Sequence, residues 1–202
     1  GCTVIRLYHR GAWGSGGIYS FSHCIEDTEA VLSYLAAGGT ERYAIDPARI
    51  FLLGHSNGGN TVINVAKRHP ELRGIMAYCP FDHKGAETLL GKENLAAMLT
   101  EAATVLHIES PEALVKDSET HRDEWTFPLA AYPLKDQNIL VIGGEKDTVA
   151  PPQYMIDPFW NLLTDQQSHA VHQRVDLLGN HSLDTCRLKL IETVGAFIES
   201  LS

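Results

Sequence analysis

Long apolar runs are missing from this sequence. No stretch approaches the roughly 18 residues needed to cross a bilayer as a helix, and the N-terminus shows no basic, apolar and small-residue succession of a secretory signal. The expectation is a soluble chain, with the compartment left open and a lean towards the cytoplasm. Positive charge is also scarce: 16 Lys plus Arg stand against 25 Asp plus Glu, a formal charge of -9. No basic field is therefore available to attract phosphate backbones or acidic lipid, which disfavours nucleic-acid and membrane-surface partners. Cysteine is sparse. Cys2, Cys24, Cys79 and Cys186 are scattered without CxxC spacing or the density of a disulfide scaffold, so they read as free thiols, with Cys79 at the end of an apolar run as a small core residue. Internal repeats, low-complexity tracts and inter-domain linkers are absent too. What is present is ordinary for one globular unit: 202 residues, 44% hydrophobic and 20% charged, read as a single domain over 1–202.

Short apolar runs alternate with longer amphipathic stretches, the pattern of an α/β fold with a mostly parallel sheet flanked by helices. Strands are expected at residues 3–8, 49–53, 74–79, 138–142 and 171–177, most of them bounded by Gly, Pro, Asn or Asp. Helices are expected near 22–36, 57–68, 152–163 and 183–199; in the last, Leu183, Leu190, Ile191, Val194, Phe197 and Ile198 trace an apolar face. Residues 81–133 interrupt the rhythm. They hold two expected helices, 91–105 and 111–116, and a turn at 125–128, and read as a small helical lid insertion over the carboxyl ends of the strands, where open α/β sheets place their ligands.

The sharpest local signal is Ile50-Phe51-Leu52-Leu53-Gly54-His55-Ser56-Asn57-Gly58-Gly59, a strand running straight through Gly-x-Ser-x-Gly into a helix. Such a turn forces the serine into a strained conformation with its hydroxyl exposed, and Gly54 and Gly58 are read as removing side chains that would collide there. The helix that begins at Asn57 brings unsatisfied N–H groups and a positive dipole end, so the Asn57 backbone N–H is the candidate oxyanion donor.

A serine hydroxyl needs a base in hydrogen-bond reach, itself oriented by an acid. The loop after the 138–142 strand, Gly143-Gly144-Glu145-Lys146-Asp147, offers acids at the same sheet edge as Ser56; Asp147 is the choice and Glu145 the fallback. The loop after the 171–177 strand, Gly179-Asn180-His181-Ser182, offers His181 as the base. His169 and His172 precede or begin that strand and belong at its other end. His55 is read by strand alternation as pointing away and packing. His83, His107 and His121 form no metal-ligand spacing, so neither a metal nor a cofactor is expected. Trp13, Trp125, Phe127, Tyr154 and Trp160 are candidates for pocket walls, with core packing as the plainer reading.

With the order Ser56, Asp147, His181 in place, the chain resembles the α/β-hydrolase superfamily along nearly its whole length. Asp46-Pro47-Ala48-Arg49-Ile50 is similar to the lead-in of dienelactone-hydrolase-like, feruloyl-esterase-like and prolyl-oligopeptidase-like members, and the 144–147 and 179–181 loops resemble their acid and histidine loops. The resemblance implies triad roles for Ser56, Asp147 and His181. It also implies a departure. Residues 8–17, Tyr-His-Arg-Gly-Ala-Trp-Gly-Ser-Gly-Gly, resemble the Arg-Gly loop that follows the fourth strand of such hydrolases, so that the first three strands and the second oxyanion donor are lacking. A missing N-terminal segment or a partner chain would then complete the sheet. The competing alignment takes 3–8 as the third strand, with the His9 to Ala12 backbone as the second donor.

The function expected from all this is a serine hydrolase that cleaves small carboxylic esters through an acyl-enzyme. A prolyl-oligopeptidase-like peptidase or amidase is the nearest alternative, because the triad does not distinguish the leaving groups. A non-catalytic hydrolase-like binding module is the other.

Overall fold

A computed structural model describes residues 2–201, and its sheet contains four parallel strands. They are β1 (Phe51–His55), β2 (Gly74–Tyr78), β3 (Ile139–Gly144) and β4 (His172–Leu177), in the spatial order β1-β2-β3-β4. Leu53 lies opposite Met76, Ile75 opposite Ile139, and Val141 opposite Arg174. Strand order equal to chain order has a consequence. Right-handed crossovers then send every connection to the same face of the sheet, leaving the other face to whatever follows the last strand.

The helices are distributed in that way. Ahead of the sheet come α1 (Phe21–Tyr34), which ends in a kinked turn over Leu35–Gly39, and the short α2 (Thr40–Tyr43). The β1 to β2 crossover is α3 (Asn57–Ala66). The β2 to β3 connection carries α4 (His83–Leu90), α5 (Lys92–Ala102), α6 (Pro111–Trp125) and α7 (Phe127–Ala130), and the β3 to β4 connection carries α8 (Pro152–Met155) and α9 (Asp157–Thr164). One core unites Ile25 and Leu32 of α1, Val62 and Ile63 of α3, Leu95, Leu114 and Trp125 of the 81–133 segment, and Phe159 of α9 against Ile75 and Val141. On the opposite face α10 (Arg187–Ser200) sets Phe197 against Met76, Leu140, Ile142 and Leu177. The central strand β3 is buried at every residue. At the sheet margin, β1 leaves Leu53 half exposed.

Several boundaries differ from those expected, each for a local reason. Residues 3–8 form no strand: Val4 is 84% exposed, and β-branched residues gain little when no neighbouring strand shares a ladder with them. The direct pairing of 3–8 with β1 is thus absent. The lead-in Pro47–Arg49 is a single 3-10 turn capped by Asp46, which accepts from Ala48 N–H at 2.9 Å, so β1 starts only at Phe51. Helix α6 runs nine residues past its expected end at Lys116. Leu114, Ser118, Arg122 and Trp125 share its buried face, and the Arg122 guanidinium meets Glu87 at 2.9 Å, so a buried stripe with polar Ser118 and Arg122 at its middle hides the helix from an apolar count. The single helix expected at 152–163 breaks at Ile156 ahead of Pro158, which has no N–H to continue the ladder. Helix α10 begins at Arg187 because Leu183, fully buried, takes a left-handed φ of 47°. Among the described residues, no helix is long and apolar enough to cross a membrane.

Candidate active site

Ser56 sits between β1 and α3 with φ 53° and ψ -120°, a region a non-glycine residue enters at a cost of about 1–3 kcal/mol. Its own backbone holds it there. Ser56 N–H donates to Tyr78 O at 3.2 Å, and Ser56 C=O accepts from Gly59 N (2.9 Å), Asn60 N (3.2 Å) and Phe81 N (3.0 Å). Gly54 is required: a Cβ on it would stand 2.1 Å from Gly58 O. Gly59 is nearly as tight, 2.8 Å from Pro80 Cβ. Gly58 is not, since a Cβ there meets nothing within 4 Å, and the expectation that it relieves a collision is corrected. Its place in the first turn of α3 turns that position towards open space.

His181 and Asp147 come to the same edge on the loops after β4 and β3. His181 Nε2 lies 2.9 Å from Ser56 Oγ, and His181 Nδ1 lies 2.8 Å from Asp147 Oδ2. The carboxylate accepts, so the proton on that pair resides on Nδ1, and Nε2 keeps its lone pair for the serine hydroxyl. Asp147 Oδ1 accepts from Val149 N (2.9 Å) and Ala150 N (2.8 Å). Burial by itself raises the Asp147 pKa, but the hydrogen bonds from His181, Ala150 and Val149 outweigh it and hold the carboxyl below its ordinary value. The two loops are also tied to each other, Lys146 N–H donating to Gly179 O at 2.9 Å. Glu145 stands exposed, its N–H spent on Leu177 O at 2.8 Å, so Asp147 is the acid the histidine meets. His172 opens β4, at the opposite end of the sheet.

Asn57 is the first residue of α3, and helix geometry leaves its N–H without an intrahelical acceptor beside Ser56 Oγ. Its side chain is fixed from two sides. Asn57 Nδ2 donates to Tyr19 Oη at 3.1 Å, and Asn57 Oδ1 accepts from His83 Nε2 at 3.2 Å; His83 Nδ1 in turn accepts from Ser118 Oγ at 2.8 Å. His83 is fully buried, and burial, followed by the charge of Arg122, pushes its pKa down to about 3, so it is neutral. Nothing in the sequence marks His83, because its partners come from 26 and 35 residues away. The His9 to Ala12 backbone is largely committed elsewhere: the N–H groups of Arg10, Gly11 and Ala12 go to Asp27 Oδ2 (2.8 Å), Gly16 O (3.1 Å) and His9 O (3.1 Å).

Cys79, fully buried as expected, is also a neighbour of this site. Its thiol, the Asp147 carboxylate and the His181 imidazole have ligand atoms all within 4.8 Å of one another, and burial followed by the Asp147 charge drives the thiol pKa far up. The trio has the donor types of a metal site. A tetrahedral ion with ligands at about 2.0–2.3 Å needs them further apart than the 2.8 Å between Nδ1 and Oδ2, a separation that suits a shared proton. His55 packs as expected, stacked on Tyr78, but it does not point away; its ring also lies against His181. Of the candidate pocket aromatics, Trp125 and Phe127 are core, Tyr154 and Trp160 pack against it, and Trp13 is 82% exposed. A cleft of about 500 Å³ lies between α1 and α6, bordered by Tyr19, His23, Glu26, Leu114 and Asp117, and does not include Ser56.

A family described as alpha/beta hydrolase fold matches residues 18–157. No curated protein sequence matches the chain. Among solved structures, a monoacylglycerol lipase of Paleococcus ferrophilus superposes with a TM-score of 0.60 at 16% identity, covering 94% of this chain and 79% of that one. A thermophilic esterase from Thermogutta terrifontis gives 0.59 at 15% identity, covering 96% and 78%. A putative dipeptidyl aminopeptidase IV from Bacteroides ovatus gives 0.62 at 19% identity, covering 89% of this chain but 22% of that one.

Proposed function

The chain belongs to the alpha/beta hydrolase fold family, and on that premise we propose that it is a serine hydrolase acting on small carboxylic esters. The observation that carries the reading is the continuous relay Ser56 Oγ, His181 Nε2, His181 Nδ1, Asp147 Oδ2, with contacts of 2.9 and 2.8 Å. In this reading Ser56 Oγ attacks the ester carbonyl while His181 Nε2 takes its proton. The imidazolium is stabilised by the buried Asp147 carboxylate, and the oxyanion is met by the Asn57 N–H at the positive end of α3. His181 then gives the proton to the departing alkoxide. Water, deprotonated by the same nitrogen, releases the acid and restores the serine. A lipase and an esterase among the structural neighbours fit an ester substrate. The aminopeptidase neighbour keeps an amide substrate as the comparison arm of the test.

The test is stoichiometric labelling of the purified chain by a fluorophosphonate, read by intact mass, together with turnover of a short nitrophenyl ester and of a peptidyl nitroanilide. Wild type is expected to gain one adduct and to prefer the ester, and Ser56→Ala to lose the adduct and on the order of 10⁴-fold or more in turnover. Equal ester hydrolysis by wild type and Ser56→Ala would sink the assignment of Ser56, and a preference for the anilide would move the substrate class to amides.

A further inference from the structure

His55 immediately precedes Ser56, and its ring stays at the site. Its Nε2 lies 2.8 Å from the main-chain oxygen of His181. One face stacks on Tyr78, with centroids 4.5 Å apart and planes at 20°, and the imidazole of His181 lies 4.8 Å away at 44°. A carbonyl oxygen only accepts, so His55 carries its proton on Nε2 and donates it. The groups that bear on its charge are His181, Asp147 and Arg187, with Tyr78 as the stacking face; burial, the largest effect, keeps its pKa below the ordinary imidazole value.

Residues 55 and 56 therefore both grip residue 181, one through its main chain and one through its side chain. These two bonds join β1 to the loop after β4, which lie at opposite margins of the sheet. They differ in one respect. The Ser56 bond exists only while Ser56 has a hydroxyl. When the Oγ–acyl bond forms and the ester C–O bond breaks, the hydroxyl proton passes through His181 Nε2 to the leaving alkoxide, and the serine no longer donates. Deacylation then needs the imidazole held in place to take a proton from water and return it to Ser56 Oγ as the acyl–Oγ bond breaks. The bond from His55 does not depend on the state of Ser56.

Resting on the hydrolase reading above, we propose that His55 is a positioning residue: by donating Nε2–H to the His181 carbonyl it keeps that imidazole in register during the acyl-enzyme stage.

The experiment is stopped-flow hydrolysis of a short nitrophenyl ester by wild type, His55→Phe, which keeps the stack and loses the donor, and His55→Gln, which keeps a donor of similar reach. Fluorophosphonate labelling rates report the attack step, and Ser56→Ala is the control. Expected for His55→Phe is a burst followed by steady-state turnover about tenfold slower, the scale of one lost hydrogen bond, with labelling slowed by less than about threefold. His55→Gln is expected to recover most of the loss. Turnover of His55→Phe equal to wild type, equal deficits in both variants, or equal slowing of labelling and steady-state turnover would each overturn the proposal. Should His55→Phe not fold, His55→Leu takes its place under the same criteria. Failure of wild type to label would remove the hydrolase reading and this inference with it, whereas failure of the His55 pattern in a labelled wild type leaves that reading intact.

Discussion

The loops after β3 and β4 are fastened by hydrogen bonds inside the molecule, whereas the loop over residues 9–19 is fastened to α1 and to His107 in large part at the surface. In the first region Asp147 accepts from Val149, Ala150 and His181 and is 4% exposed. In the second, Arg10 pairs with Asp27 at 2.6 Å and Glu26 at 2.7 Å from a side chain 37% exposed, Gly11 O accepts from His107 N at 2.8 Å, and Trp13 stands in solvent. Buried polar groups are costly to orphan, and exposed ion pairs are worth little. The difference teaches where rigidity is concentrated: on Asp147 and His181, not on the loop that the competing alignment would have made an oxyanion donor.

The largest effect expected from that contrast is at Asp147. Asp147→Asn keeps the shape but presents an amide to His181 Nδ1, which favours the wrong tautomer, and kcat for a nitrophenyl ester is expected to fall on the order of 10⁴-fold with the fold intact. Retention of more than a tenth of the activity would break the comparison, since the buried anchor would then be idle. A pH signature accompanies it. The Asp147 pKa is lowered in the fold, so its contribution to stability is fully present above the ordinary aspartate pKa of about 3.9 and is lost as pH falls through the depressed value. Acid unfolding followed by circular dichroism should accordingly show a shallower acid limb for Asp147→Asn than for wild type.

The next effect separates two glycines that the sequence treats alike. Gly54→Ala drives a Cβ into Gly58 O at 2.1 Å, backbone against backbone, and is expected to cost about 3 kcal/mol or more and to abolish fluorophosphonate labelling. Gly58→Ala enters open space inside α3 and is expected to be neutral or to stabilise by up to about 1 kcal/mol, with labelling retained. Urea midpoints of the two variants measure this. A loss at Gly54 as small as that at Gly58 would mean that the elbow is loosely built and that Ser56 is not held by its neighbours.

These outcomes also bear on what a sequence can disclose. The meeting of Ser56, Asp147 and His181 at one edge is legible because each sits on a short turn directly after an apolar run, and parallel strands bring all such turns together. The four paired strands were legible for the same reason. The segment 3–8 was not, since Thr3, Val4 and Ile5 have strand propensity and only tertiary pairing decides whether it is used. The far half of α6 was hidden by a buried face made of Ser118, Arg122 and Trp125 instead of leucines. For His55, strand alternation supports packing, which the stack on Tyr78 bears out, but it gives the wrong direction, because the chain leaves the strand at Ser56 and nothing local shows that the His181 carbonyl waits beside it. His83 depends on Ser118 and Asn57, neither near it in the chain.

The smallest expected effect tests the weak side of the comparison. Arg10→Ala removes the pairs with Asp27 and Glu26, but both are partly solvated and screened, so the loss of stability is expected to be up to about 1 kcal/mol and to shrink further in added salt. Loop 9–19 keeps the Gly11–Gly16 and Gly11–His107 backbone bonds, which do not need the arginine. Fluorophosphonate labelling of Arg10→Ala should then match wild type within about twofold, because the N–H groups of residues 10–12 are engaged away from Ser56 and a loosened loop takes no oxyanion donor with it. A labelling rate that fell tenfold or more while the urea midpoint barely moved would reverse the contrast. The loop would then be acting on the oxyanion itself, and the donor that completes the Asn57 N–H would have to be sought among residues 9–19.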